Sequence, residues 1–128
     1  MTNQAEKKDK NIYVLSQDDN GTVTVTENVV AVIASYAATD VDGVAGMAGD
    51  ISAELLKKAG LSMLSKGIRV NIEGSEISID AAICVEYGAS IPKVSAAVQD
   101  KIKVTVENMT GLSVKGVNIR IANVEVER

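Results

Sequence analysis

Four carboxylates, Asp40, Asp42, Asp50 and Glu54, and one thiol, Cys84, are the side chains in this sequence with the most evident capacity for chemistry. Carboxylates gathered in one place can do general acid–base work. No metal-ligand spacing accompanies these four, and acids beside helix ends ordinarily cap the helix or complement its dipole. Cys84 sits in the alternating series Ser78, Asp80, Ala82, Cys84, Glu86, on the face opposite the main apolar one. Nothing near it in sequence favours a thiolate, which a nucleophilic cysteine requires; it reads as a small packing residue. The Asp18-Asp19-Asn20-Gly21 string suggests calcium. A calcium loop of the EF-hand type needs acids at alternate positions and a distant Glu, and the spacing here fits a turn instead. The sequence contains no His, so Ser-His-Asp and Cys-His systems and His-ligated zinc are excluded. No catalytic residue, no metal and no cofactor is assigned, and the chain reads as a non-enzyme.

A second class of candidates would bind rather than react. Gly43-Val44-Ala45-Gly46 and Gly46-Met47-Ala48-Gly49 are overlapping GxxG strings. Loops of this type between two helices clamp a nucleic-acid backbone in KH domains. Lys57, Lys58, Lys66 and Arg69 follow with no acid between 57 and 69, so this segment carries +4 within a chain of net charge −4. Against nucleic acid stand the acidic balance, the absence of Lys or Arg inside the loop, and the lack of Phe and Trp for base stacking. Gly43, Val44, Gly46, Met47, Gly49, Lys57, Lys58, Lys66 and Arg69 are therefore partner-binding candidates, with protein favoured over nucleic acid. A solvated helix face and tight glycine turns account for the same residues without any partner.

The elements that must position these groups follow from periodicity. Residues 1–10 form a polar tail with little to bury; residues 11–128 read as a single domain, a length that suffices for a core without disulfides. Ile12–Leu15 and Thr22–Val25 are β-prone runs around a turn. Residues 27–40 read as a helix capped by Thr26, with Val29, Ile33, Tyr36 and Ala37 sharing a face and Gly43 beyond its end. Val44 to Gly49 is a short strand or extended loop. Asp50 or Ser52 caps a second helix through Ile51, Leu55 and Ala59, stopped by Gly60, and Leu61 to Lys66 is a loop.

Ile68, Val70 and Ile72 alternate before Gly74-Ser75, a two-residue loop suited to a type II′ hairpin turn, and Ile77 to Tyr87 alternate after it. Ser90 and Pro92 open a long helix in which Ile91, Val94, Val98, Ile102 and Met109 keep phase until Gly111. Val117, Ile119 and Ile121 then alternate, while Val124 and Val126 have the opposite parity. A bulge near Ala122-Asn123 would return both sets to one face. The two helix ends, Thr39–Val44 and Glu107–Leu112, echo each other and read as two ordinary glycine-terminated helices.

Three of these stretches resemble a known family. Thr39-Asp40-Val41-Asp42-Gly43-Val44-Ala45-Gly46-Met47 is similar to a segment of the alkaline shock, or envelope stress response, proteins of Gram-positive bacteria. So are Tyr87-Gly88-Ala89-Ser90-Ile91-Pro92 with Val94, Ala97, Val98 and Gln99, and Val106 to Val117 followed by Asn118-Ile119. The matches run in order across residues 20–128. The resemblance implies a small α+β protein without established catalytic residues. It also implies self-association or protein partners, among them a membrane-anchor protein or a lipid-synthesis enzyme such as acetyl-CoA carboxylase. With no long charged C-terminal extension in this sequence, the resemblance is expected to be to the shorter, housekeeping-like members.

The resulting expectation is an α+β domain with a mixed sheet of three to five strands and two main helices, 27–40 and 91–109, packed on one face. Its core should hold Val29, Ile33, Ile68, Val70, Ile79, Ile83, Val85, Val94, Val98, Ile102, Val117 and Ile119. Its function is expected to be that of an adaptor or scaffold in cell-envelope stress response or envelope homeostasis; the alternatives are a regulator of fatty-acid synthesis linked to acetyl-CoA carboxylase, as the resemblance implies, and a KH-like nucleic-acid-binding module. The N-terminus has no apolar run after its lysines and no segment approaches the roughly 18 apolar residues of a membrane span. A cytoplasmic protein, brought to a membrane only through a partner, is expected.

Overall fold

A computed structural model describes residues 12–48, 67–73 and 76–126. β1 (Ile12–Asp18) and β2 (Gly21–Thr26) pair as an antiparallel hairpin. Its turn is built as the Asp-Asn-Gly chemistry dictates: the Asn20 amide donates to Asp18 Oδ1 at 2.8 Å, and Gly21 takes a φ of 125° that a side chain would resist.

β2 leads directly into α1 (Glu27–Thr39). Thr26 caps it, its Oγ1 accepting from the Val29 amide at 3.3 Å, and Glu27 lies where the helix dipole favours an acid. The buried side is Val30, Ala31, Ala34, Ala37 and Ala38. The expected stripe was Val29, Ile33, Tyr36 and Ala37. The helix is turned by about one residue from that phase, so Val29 is 41% exposed and Tyr36 is exposed. Four alanines form the contact, which lets α1 lie close to its neighbours; apolar bulk alone pointed to the wrong side.

The sheet is organised around β5 (Glu76–Glu86). One edge of β5 is shared end to end by two antiparallel strands, β4 (Ile68–Glu73) beside its first half and β3 (Val44–Met47) beside its second. They meet at Ala82, whose carbonyl accepts from the Ala48 amide at 3.0 Å and whose amide donates to the Gly67 carbonyl at 2.8 Å. A Cβ at Gly67 would lie 3.0 Å from the Ala48 carbonyl, and its φ is 94°, so only glycine fits this junction. Glu73 pairs with Glu76, which agrees with a two-residue connection; the turn type of Gly74-Ser75 lies outside the described residues.

The other edge of β5 pairs along its whole length, in parallel, with β6 (Ser113–Glu125). A parallel pair needs a crossover, and α2 (Ile91–Thr110) provides it. Pro92 is accommodated in the first turn. Gly111 closes the helix at φ 78°, its amide donating to the Glu107 carbonyl at 2.8 Å. Ser90 occupies the N-cap position but makes no side-chain cap bond. Register shifts place extra residues in β6 at Lys115 and at Ala122. The second is the bulge that the change of parity required, and it keeps Ile119, Ile121 and Val124 on one face.

Both helices pack on that face. Ile77, Ile79, Ile83 and Val85 of β5 meet Val30 of α1 and Val98, Ile102 and Val106 of α2, all essentially fully buried. Burying each such side chain contributes about 1.5–3 kcal/mol. Of the expected core, Val70, Val94 and Val117 are also buried, while Ile33, Ile68 and Ile119 are partly buried. Ile91 and Met109 are exposed; the buried stripe of α2 continues through Val106 and Thr110 instead. Thr110 is a satisfied buried polar group, donating to the Val106 carbonyl at 2.7 Å and accepting from the Leu112 amide at 3.1 Å. Among the described residues the architecture is α+β, with a four-stranded mixed sheet, a two-stranded hairpin and two helices.

Candidate functional site

Gly43 to Met47, the described part of the glycine string, is taken up by close packing and strand pairing. Gly43 turns the chain out of α1 at φ 97°, and a Cβ there would come within 2.6 Å of Val94 Cγ2 on α2. Its glycine serves close packing. Val44, Gly46 and Met47 are laddered onto Val85, Cys84 and Ile83, and Met47 is buried. The Gly43 carbonyl accepts from the Glu86 amide at 2.9 Å. Backbone committed to a sheet is not a loop free to hold phosphates, so the described part of this motif lends the nucleic-acid alternative no support. Gly49, Lys57, Lys58, Lys66 and the helix expected from Asp50 or Ser52 to Ala59 lie outside the described residues. Arg69 is exposed on β4, opposite Asp80, four positions along β5 from the Cys84 pairing of Gly46. The described candidates therefore form two places on one sheet edge rather than one cluster.

Of the four carboxylates, two are described. Asp40 meets Lys101 Nζ of α2 at 3.4 Å, a surface pair with both side chains largely exposed, and such pairs contribute little. Asp42 is exposed, and Asp50 and Glu54 are outside the described residues. Among the described residues no group of three or more His, Cys, Asp or Glu could hold a metal ion. Cys84 is buried, as a packing residue would be.

The sheet face away from the helices carries polar residues that belong to no sequence motif. Asp80 accepts from Asn118 Nδ2 at 2.8 Å and from Asn71 Nδ2 at 3.3 Å, tying three strands together. Arg69, Asp80, Asn118 and Arg120 line a shallow concavity of about 440 Å³ over Gly67 and Ala82. Their shared signal was strand alternation, which marks a face but not what the face holds.

An apolar concavity lies between the helices. Val32, Ile33, Tyr36 and Ala37 of α1 and Thr105 and Met109 of α2 line a groove of about 610 Å³ with the Asp40–Lys101 pair at its rim. Tyr36 and Met109 are each 65% exposed. Both were expected on buried helix faces, and both stand at the surface because alanines, Val106 and Thr110 fill the interior positions. Among the described residues no helix is long and apolar enough to cross a membrane.

Comparison with known proteins adds to this geometry. Residues 15–126 match the alkaline shock protein 23 family, which is described by a cell envelope-related function. The chain is 37% identical over 122 residues to the uncharacterized protein YqhY of Bacillus subtilis, covering 94% of this chain and 90% of that one. It is 39% identical over 111 residues to YloU of the same organism, covering 83% and 90%. A stress response regulator gls24 homolog of Streptococcus pyogenes is 25% identical over 108 residues, covering 84% of this chain and 60% of that protein. Among solved structures, a variant of the MamM CTD is similar at a TM-score of 0.49 and 17% identity, covering 77% of this chain and 96% of that one.

Proposed function

The chain belongs to the alkaline shock protein 23 family, a family linked to the cell envelope and to stress response, and on that premise we propose that it works as a non-catalytic adaptor in envelope homeostasis. Its output is a protein–protein contact. The observation that carries this reading is the interhelical groove, where an aromatic and a thioether side chain stand exposed on a rigid two-helix platform. Tyr presents a large apolar body with a polar tip at small entropic cost, and Met adapts to varied partners. An exposed apolar concavity lined by large side chains from two helices is the ordinary mark of an interaction site. The partner that fits is an envelope protein, either a membrane anchor or a lipid-synthesis enzyme, that offers an apolar side chain or helix to the groove.

A photo-crosslinking residue at Tyr36 in the native host tests this. The expected product is a membrane-anchored or lipid-synthesis protein identified by mass spectrometry, lost when Met109 is changed to Ser and absent when the crosslinker is moved to Thr22 on the hairpin. Crosslinking to no such protein, or the same product from both positions, contradicts the adaptor reading.

A further inference from the structure

β6 is an edge strand whose outer side is treated differently along its length. In its first part α2 occupies the edge: the Val114 amide donates to Glu107 Oε2 at 2.9 Å, and Gln99 Nε2 donates to the Val117 carbonyl at 2.9 Å. Beyond Val117 no hydrogen bond from another described residue reaches the outer edge. Which residues present that edge follows from alternation. The Glu125 carbonyl accepts from the Tyr87 amide, so Glu125 faces β5 and Val124 and Val126 face away. Val117 faces away as well, and with it Ile119 and Ile121. The extra residue at Ala122 brings the two sets into the same sense.

We propose that this stretch, residues 119–126, pairs antiparallel with the same stretch of a second copy of the chain about a two-fold axis. One register satisfies every outward group: Ile119 opposite Val126 and Ile121 opposite Val124, each then a hydrogen-bonded pair. The two bulges fall opposite each other at the centre, so neither strand is out of step. This same register sets Arg120 opposite the second copy's Glu125, twice by symmetry, on the polar face of the sheet.

Charge supports this occupant. Glu125 lies directly across from Glu86 within the chain, and both are exposed; like charges so placed repel. Neither Arg120 nor Glu125 has an ion pair among the described residues. The second copy's Arg120 would relieve that repulsion. Val124 and Val126, 39% and 62% exposed, would gain apolar neighbours on the helix-side face. An isologous contact of this kind is closed and joins two sheets into one. It stands independently of the adaptor reading, because the interhelical groove takes no part in it.

Sedimentation of the full chain over a concentration series at low salt is the test. The wild type should show a reversible monomer–dimer equilibrium. Arg120→Glu alone and Glu125→Arg alone should each weaken it at least tenfold, since each sets like charges opposite one another at both symmetric positions. An equimolar mixture of the two variants should restore dimers, because opposite charges then meet at both positions. Circular dichroism melts of the variants, expected within a few degrees of wild type, confirm that they fold. A wild type that stays monomeric throughout, or a dimer indifferent to both reversals and to their mixture, overturns the proposal.

Discussion

The two halves of β6 share a strand, a partner and an alternating pattern, yet they have different environments. Val114 and Val117 are buried beneath α2, and Glu107 and Gln99 reach across to bond the strand's outer backbone. From Arg120 onward every second residue or more is exposed, and the edge is bare of such bonds. The difference teaches that hydrophobic alternation reports which side of a sheet a residue occupies. Whether the backbone beside it is already satisfied depends on which element lies along the edge. An edge left open is a template for further pairing, so the half that α2 does not reach is where assembly is expected.

The largest break in that comparison should come from charging the enclosed half. Val117→Asp places a carboxylate beneath α2 and should cost about 3 kcal/mol or more, read as a loss of midpoint in urea unfolding. Val126→Asp at the open end should change the same midpoint by less than about 0.5 kcal/mol in protein dilute enough to be monomeric. Next is Ile83→Ala, at the centre of β5 where both halves of the fold converge, expected to cost about 2–5 kcal/mol through the cavity it leaves. Its effect should not depend on protein concentration. Removing the capping carboxylate by Glu107→Ala should cost about 1–2 kcal/mol, because the Val114 amide loses a charge-assisted bond in a partly buried place. Glu107→Gln, which keeps an acceptor, should recover part of it. Smallest is Gln99→Ala, which leaves one carbonyl for water and should cost under about 1 kcal/mol.

Local chemistry made much of the fold legible. The Asp-Asn-Gly turn, the Thr26 cap, Gly111 and the bulge at Ala122 each depend on residues within a few positions of one another, and the structure places each as expected. Helical phase was legible where bulky residues mark the buried side, as in Val94, Val98 and Ile102. It failed on α1, where small residues form the contact and Val29 outweighs Ala34 by any measure of hydrophobicity. Tyr36 is thereby exposed rather than interior, Met109 is exposed because the stripe of α2 continues through Val106 and Thr110, and the groove the two line was not legible. The pairing of Val44–Met47 with β5 was hidden for another reason. A glycine string fixes close approach and turning but not whether the backbone will be taken up by a neighbouring strand, and β5 is distant in sequence. The capping of β6 by Glu107 and Gln99 is likewise a tertiary outcome, carried by side chains that read individually as helix surface.

Amide hydrogen exchange along β6, followed at high and at low protein concentration, tests the contrast between its two halves most directly. The Val114 amide, held by Glu107, should exchange slowly and equally at both concentrations. The amides of Ile119, Ile121, Val124 and Val126 should be protected at high concentration and should exchange rapidly on dilution. If those four amides exchange at one rate at both concentrations while Val114 remains protected, the open edge is not an assembly surface and the account of β6 is wrong.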